Sequence, residues 1–189
     1  MSLDMSFCTF NDFLFHQKLE EKGLDIFEIS LSRTFCNLLC RKDVISHQDE
    51  LSQIGSLTNI DISPIYEMEW YCEESDMQSM LGIYDTDEEK DAFIQKTKET
   101  NAKVIGNLPR VLKTVQQLLQ KLPLIEDLPN KLIKTPKDTL NIPFYFDTFE
   151  MDRGDGYIRN NFGQDLRNLY KLLEVAASIG EETVFFSYG

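Results

Sequence analysis

The stretch 143–188 constrains the fold more than any other part of this sequence. It begins with an aromatic run at 144–149, continues through a polar loop rich in glycine, asparagine and aspartate, and enters an apolar-periodic segment from Leu166. It closes with the run 183–188, in which aromatic and β-branched residues follow one another without an internal glycine or proline. Such runs favour β-structure, and the periodic segment between them favours a helix. The stretch therefore predicts strand, turn, loop, helix and strand, with the last strand central in a sheet.

Helix-start and helix-stop signals occur throughout the upstream half of the chain. Asn11 has a side chain suited to cap a helix, and Gly23 suits the position just past its end. Ser32 or Thr34 can cap a second, short helix. Ser63 is followed by a proline, and a hydroxyl cap before proline predicts the start of another helix.

The longest helical pattern lies near the middle of the chain. Apolar residues recur there at steps of three and four, and Pro109 interrupts the pattern where a new helix can begin. This pattern predicts two helices, at about 87–105 and 108–122. We expect a single α+β domain over 1–189, with a helical sub-region at 64–122.

The predicted sheet is small. Alternation of apolar and polar residues predicts a strand at 25–31, in addition to the strands at 144–149 and 183–188. A short apolar run at 7–10 is a further strand candidate. The predicted fold class is α+β, a helix-rich domain with a small sheet that includes the C-terminal strand.

Charge is the most unusual property of the chain. The formal net charge is −13, and between residues 67 and 91 ten acids stand against a single lysine. Proteins that bind phosphates need local positive potential, so nucleic acids and anionic membranes are disfavoured as partners. A basic protein is the partner that such a block favours. The candidate partner-binding residues are Glu67, Glu69, Glu73, Glu74 and Asp76.

Nothing in the sequence indicates secretion or membrane insertion. The first residues lack a basic region followed by an apolar one, and no stretch has the roughly 20 apolar residues of a membrane span. We expect a cytoplasmic protein whose four cysteines are reduced thiols. Cys36, Cys40 and His47 supply only half of a zinc-binding pattern, so packed thiols are favoured over a metal site.

The loop around Gly156 resembles the middle of a calcium-binding EF-hand loop. If Gly156 occupies the sixth position of such a loop, the first, third and twelfth positions fall on Met151, Arg153 and Phe162. None of these side chains supplies the oxygen ligands that calcium requires. An EF-hand is therefore excluded, and Asp155 followed by glycine predicts a tight turn instead.

Five carboxylates around the same loop form an alternative acidic site. They are Asp147, Glu150, Asp152, Asp155 and Asp165. Paired carboxylates can bind Mg²⁺ or act in general acid–base catalysis, as a metal-assisted hydrolase requires. Arg153, Arg159 and Arg167 are interleaved with them, and ordinary surface ion pairs are the favoured interpretation because the spacing matches no metal-binding motif.

No residue can be assigned a catalytic role from the sequence. Only two histidines are present, and the glycine-rich nucleotide-binding motifs and the serine-hydrolase motif are absent. We expect no cofactor and favour a non-enzymatic protein-binding module. Its charge is similar to that of small acidic immunity proteins and inhibitors that neutralise basic toxins or nucleases, an analogy of class without a shared motif.

Two alternatives remain open at this point. One is a metal-assisted hydrolase that uses the acids of 147–165. The other is a structural subunit of an oligomer, in which Trp70, Tyr71 and Tyr84 would anchor the interface. The oligomeric state itself is not predicted.

Overall fold

The structure is a computed structural model, and it describes residues 5–43, 45–133, 140 and 142–188. In this part of the chain ten α-helices accompany one two-stranded sheet that includes the C-terminal strand, which confirms the predicted fold class. In chain order the elements are β1 (Met5–Thr9), α1 (Asp12–Glu21), α2 (Arg33–Cys40), α3 (Glu50–Thr58), α4 (Ser63–Glu67), α5 (Glu74–Met80), α6 (Asp87–Val104), α7 (Leu108–Lys121), α8 (Leu128–Lys131), α9 (Ile142–Tyr145), α10 (Phe162–Ser178) and β2 (Val184–Tyr188).

Polar side chains start several of these helices. The Asn11 side chain accepts a hydrogen bond from the first turn of α1, and Gly23 follows that helix with φ at +66°. Ser32 Oγ accepts from Phe35 N at 3.2 Å, so Ser32 rather than Thr34 caps α2. These starts agree with the prediction because capping is a local interaction that the neighbouring residues decide.

A sharp break separates α6 from α7. Gly106 has φ at +71°, and Pro109 lies in the first turn of α7, where its missing N–H costs nothing. The two predicted helices are confirmed to within one residue at each end. Asn107 precedes α7 as expected, but its side chain makes no capping bond and reaches β2 instead.

β1 and β2 pair in antiparallel fashion, with Phe7 opposite Phe186. The candidate strand at 7–10 therefore corresponds to β1, which begins and ends slightly earlier. Within the described residues β2 has β1 as its one strand neighbour. The prediction of a central C-terminal strand was therefore wrong.

Other groups close the second edge of β2. Val184 N donates to Asn107 Oδ1 at 2.9 Å, and Asn107 Nδ2 donates to Val184 O at 2.8 Å. Further along, Phe186 N donates to Met68 O at 2.7 Å. The Asn107 amide and the Met68 carbonyl thus hydrogen-bond the backbone of Val184 and Phe186 at this edge. The aromatic and β-branched composition of β2 had indicated a third strand there.

The predicted strands at 25–31 and 144–149 are wrong. Residues after Asp25 form turns, because Phe27 N donates to Asp25 Oδ1 at 2.9 Å and Ile29 N donates to the Asp25 carbonyl at 3.1 Å. Local bonding of this kind competes with strand pairing. Of the alternating apolar residues, Ile29 and Leu31 are buried in the core, whereas Phe27 is exposed, so the alternation does not mark a single buried face.

The aromatic run after Pro143 forms α9 and then a turn, in which Thr148 has φ at +46°. Tyr145 and Phe146 are buried, and their rings pack on Phe162 at centroid distances of 5.8 and 5.2 Å. Tyr145 and Phe146 therefore mark burial in the core rather than a strand, whereas Phe144 is exposed.

The core is built around α10 and α7, which pack against each other. Aromatic rings from α2, α10 and β2 meet there, and the Phe35 ring lies 6.5 Å from those of Phe162 and Phe186. None of the helices in the described ranges is long and apolar enough to cross a membrane.

Candidate functional site

Residues 70–104, which we call the acidic arm, contribute nothing to the main hydrophobic core cluster, although Cys72 and Val104 are buried. The helix α5 has no buried side chain, and among the 18 residues of α6 only Thr97 and Val104 are buried. A helix normally hides an apolar stripe, so helices this exposed gain little from tertiary packing. Thr86 and Glu89 form a reciprocal capping box that holds the start of α6 by local bonds.

Two contacts join the parts of the arm. Asn101 Oδ1 accepts from Cys72 N at 3.1 Å, and Asn101 Nδ2 donates to Cys72 O at 2.7 Å. The rings of Tyr84 and Phe93 lie 5.1 Å apart. The segments before and after α5 are therefore both fastened to α6.

The acidic block divides into neutralised and free carboxylates. Glu67 Oε2 accepts from Arg110 Nη1 at 2.7 Å, which ties α4 to α7. Glu69 pairs with Lys42, whose ammonium also lies 4.7 Å from the centre of the Tyr66 ring. These two predicted partner-binding residues thus form ion pairs with cations of the protein itself.

The other three predicted residues, Glu73, Glu74 and Asp76, are exposed at the start of α5. The described part of the chain places no cation in ion-pair contact with them. Burial raises the pKa of the Cys72 thiol, and the negative charges of Asp76 and Glu73 raise it further. The free negative charge of the block therefore begins after Trp70.

A second group of exposed acids surrounds the start of α6. Asp87, Glu88 and Glu89 lie in its first turn, where carboxylates oppose the positive end of the helix dipole. Bonds to Thr86 lower the pKa of Glu89, consistent with its role in the capping box. Lys90 approaches Asp87 at 3.7 Å, but Asp87 is fully exposed, so this pair neutralises little.

An aromatic groove runs along the arm. It encloses about 610 Å³, within the range of ligand pockets. Its lining consists of Trp70, Tyr84, Glu89, Ala92, Phe93, Lys96, Thr97 and Thr100. Of the predicted interface aromatics, Trp70 and Tyr84 thus both line the groove. The Tyr71 ring instead packs on that of Phe185, with the ring centres 5.0 Å apart.

Sequence reasoning missed Phe93 and Thr97 as groove residues. Both lie on one face of α6 with Glu89, at steps of four. That spacing was a usable signal, since such residues are neighbours on a helix surface. The Thr97 hydroxyl is buried and, within the described residues, has no hydrogen-bond partner.

The alternative acidic site does not form a cluster. Asp147 pairs with Arg153 at 3.2 Å, and Asp152 pairs with Arg167. Glu150 and Asp155 are exposed on the same loop. Across the described ranges there is no group of three or more histidine, cysteine or carboxylate side chains placed to hold a metal ion. Cys8, Cys36, Cys40 and Cys72 are not joined by disulfide bonds.

Asp165, the fifth acid of that group, is fully buried. Its oxygens accept from Ser32 N and Oγ at 2.9 and 2.6 Å, from Tyr145 Oη at 2.8 Å and from Asn160 Nδ2 at 2.8 Å. Burial raises the pKa of Asp165 to about 6, although these hydrogen bonds oppose the rise. Four donors from Ser32, Tyr145 and Asn160 bond the Asp165 carboxylate, so this residue joins elements of the core.

Comparison of the chain with protein-family models, with curated proteins and with solved structures finds no match. Its chemistry must therefore be inferred from its own residues. The acidic arm combines unneutralised carboxylates with an aromatic groove, a pairing suited to recognising a cationic surface.

Proposed function

We propose that this protein is a non-enzymatic, cytoplasmic protein-binding module that docks a basic partner protein through the acidic arm. The mode of action is that of an immunity protein or inhibitor: a negative surface covers a positive one. Glu73, Glu74 and Asp76 are the core of the docking surface. Glu67 and Glu69 precede it in the sequence and contribute less free charge, because they pair with Arg110 and Lys42.

One observation supports this proposal above the others. In the described part of the chain Glu73, Glu74 and Asp76 have no internal counter-ion, and they lie at the start of α5, a helix with no buried side chain. Like charges crowded on one surface repel each other and destabilise the compact state. A basic partner would relieve that repulsion and cover the exposed helices, so binding gains energy from both.

The two alternatives have weaker support. A metal-assisted hydrolase would need the acids of 147–165 to converge, but Asp147, Asp152 and Asp165 are each engaged by other protein groups. A subunit of an oligomer would use the groove aromatics. Packing two copies of so acidic an arm together would bring like charges into contact, which disfavours association.

A charge-reversal experiment tests the proposal. The probe is a short arginine-rich peptide, and its association rate is measured at low and high salt. Changing Glu73, Glu74 and Asp76 to lysine should slow association at low salt by about tenfold or more, because steering by exposed charges raises association rates by that order. The effect should shrink as salt screens the charges.

The matched control reverses three exposed acids elsewhere: Glu126, Glu150 and Asp155. It changes the net charge by the same amount but leaves the arm intact. If both triple variants slowed association equally, binding would depend on net charge alone and the arm would not be the docking surface.

A further inference from the structure

We propose that the aromatic groove of the acidic arm binds an arginine side chain of the basic partner. This inference rests on the proposed function and adds the residue type that the partner must present. It follows from the groove's rings, from an unpaired hydroxyl in its wall and from the charges at its rim.

The rings supply a surface that suits a guanidinium group. Trp70, Tyr84 and Phe93 all line the groove, and the rings of Tyr84 and Phe93 contact each other with an interplanar angle of 32°. A planar guanidinium stacks on aromatic faces and is weakly hydrated, whereas an ammonium group is compact and strongly hydrated. The groove should therefore prefer arginine to lysine at equal charge.

The Thr97 hydroxyl supplies a polar partner. Threonine hydroxyls on helices commonly bond back to the preceding turn, and Thr100 Oγ1 does so, donating to Lys96 O at 3.0 Å. Thr97 Oγ1 is buried and makes no such bond within the described residues. A buried polar group without a partner is unfavourable. The Thr97 hydroxyl is closed off from solvent, so an entering guanidinium has to displace the side chains that cover it, and its N–H can then donate to the unpaired oxygen.

The charges at the rim also favour a cation. Glu89 lines the groove and its carboxylate, which accepts from Thr86 N at 3.1 Å, carries negative charge there. The exposed acids around the start of α6 add negative potential. Lys96 opposes them, so its removal should strengthen binding of any cationic segment.

The experiment compares two peptides of one sequence in which every basic residue is either arginine or lysine. Trp70 is the only tryptophan, so its fluorescence reports occupancy of the groove directly. The wild-type protein should bind the arginine peptide about tenfold more tightly than the lysine peptide. Lys96→Gln should tighten the binding of both peptides.

Two variants test the groove, and one serves as a control. Thr97→Val keeps the side-chain shape but removes the hydroxyl, and it should reduce the arginine preference several-fold. Phe93→Leu keeps apolar volume but removes a ring face, and it should do the same. Ser79→Ala should leave the preference unchanged, because Ser79 lies outside the groove lining and its hydroxyl is bonded to the Ser75 carbonyl of its own helix.

The outcomes separate the two proposals. Equal wild-type affinity for the two peptides, or an arginine preference that survives both Thr97→Val and Phe93→Leu, overturns the arginine subsite alone. Binding of both peptides that is unaffected by reversing Glu73, Glu74 and Asp76 overturns the acidic arm as the docking surface. No binding of either peptide at low salt contradicts both proposals.

Discussion

Ser32 and Asp165 are 133 residues apart in the sequence, yet their side chains meet in the core at 2.6 Å. Ser32 Oγ donates to Asp165 Oδ2 while it accepts from Phe35 N, and Ser32 N donates to Asp165 Oδ1. The cap of α2 is thereby fixed to the first turn of α10. Tyr145 from α9 completes the junction, so one buried carboxylate joins three helices.

Two replacements of Asp165 should show whether stability depends on its hydrogen bonds or on its negative charge. An amide at this position can accept from Ser32 N and Asn160 Nδ2 with its oxygen and donate to the Ser32 and Tyr145 hydroxyl oxygens. We therefore expect Asp165→Asn to unfold in urea near the wild-type midpoint. Asp165→Ala leaves buried donors without acceptors and should lower the free energy of unfolding by about 3 kcal/mol. Equal losses in the two variants would contradict this account.

Asp165 should also make stability depend on pH in a defined direction. Its pKa is raised to about 6 in the folded protein, above the value of about 3.9 for an unfolded chain. The folded state therefore binds the proton more tightly, and the contribution of Asp165 to stability falls as pH rises towards and through 6.

The measurement is the difference in unfolding free energy between the wild-type protein and Asp165→Asn at several pH values. Other titrating groups cancel in this comparison. The unfolding free energy of the wild-type protein should fall by about 1.4 kcal/mol relative to that of Asp165→Asn as the pH rises from about 5 to 7.5. A difference that is constant over this range would show that the buried carboxyl titrates as in the unfolded chain.

Asn107 should be essential for holding β2. Its side chain satisfies both backbone groups of Val184, and both residues are fully buried. Asn107→Ala leaves a buried N–H and a buried carbonyl unpaired, so we expect a loss of about 2–4 kcal/mol in unfolding free energy. Hydrogen exchange of the β2 amides should accelerate as well.

Asn101→Ala provides a control for that prediction. Asn101 also makes two bonds to one backbone unit, at Cys72, but on the more exposed arm. Water can replace these bonds, so the loss should be smaller and confined to exchange rates within the arm. A larger loss from Asn101→Ala than from Asn107→Ala would contradict the assigned roles.

Gly163 in α10 should tolerate no side chain. A Cβ built there would lie 1.9 Å from the Phe149 carbonyl oxygen, which belongs to the backbone and cannot move aside cheaply. We expect Gly163→Ala to lose about 3 kcal/mol or more of stability, measured by urea unfolding. Gly82→Ala is the control: a Cβ there meets nothing within 4 Å, so its stability should be unchanged or slightly higher.

Helix starts were predictable because the responsible contacts are short-range. The caps at Asn11 and Ser32 each involve a side chain and a backbone amide three residues further on. The break near Pro109 has the same local origin. The predicted cap at Ser63 was wrong, because Ser63 is the first residue of α4 and Ile62 occupies the capping position. Sheet membership was not predictable in this way, since strand pairing joins residues from opposite ends of the chain.

The candidate site shows the same division. The excess of acid at 67–91 is visible in the sequence, but which acids are free depends on where distant cations lie. Arg110 reaches Glu67 across 43 residues, and Lys42 reaches Glu69 across 27. No periodicity within the block distinguishes those two acids from Glu73.

The sequence by itself determined the helix-rich composition, the main helix bounds and the charge of the arm, because each follows from neighbouring residues or from simple counts. The tertiary structure alone decided that Asp165 is buried and joins three helices, that Asn107 bonds the second edge of β2, and that Phe93 and Thr97 line the same groove as Trp70. Those outcomes depend on long-range contacts, whose energies are realised only when the chain has brought distant residues together.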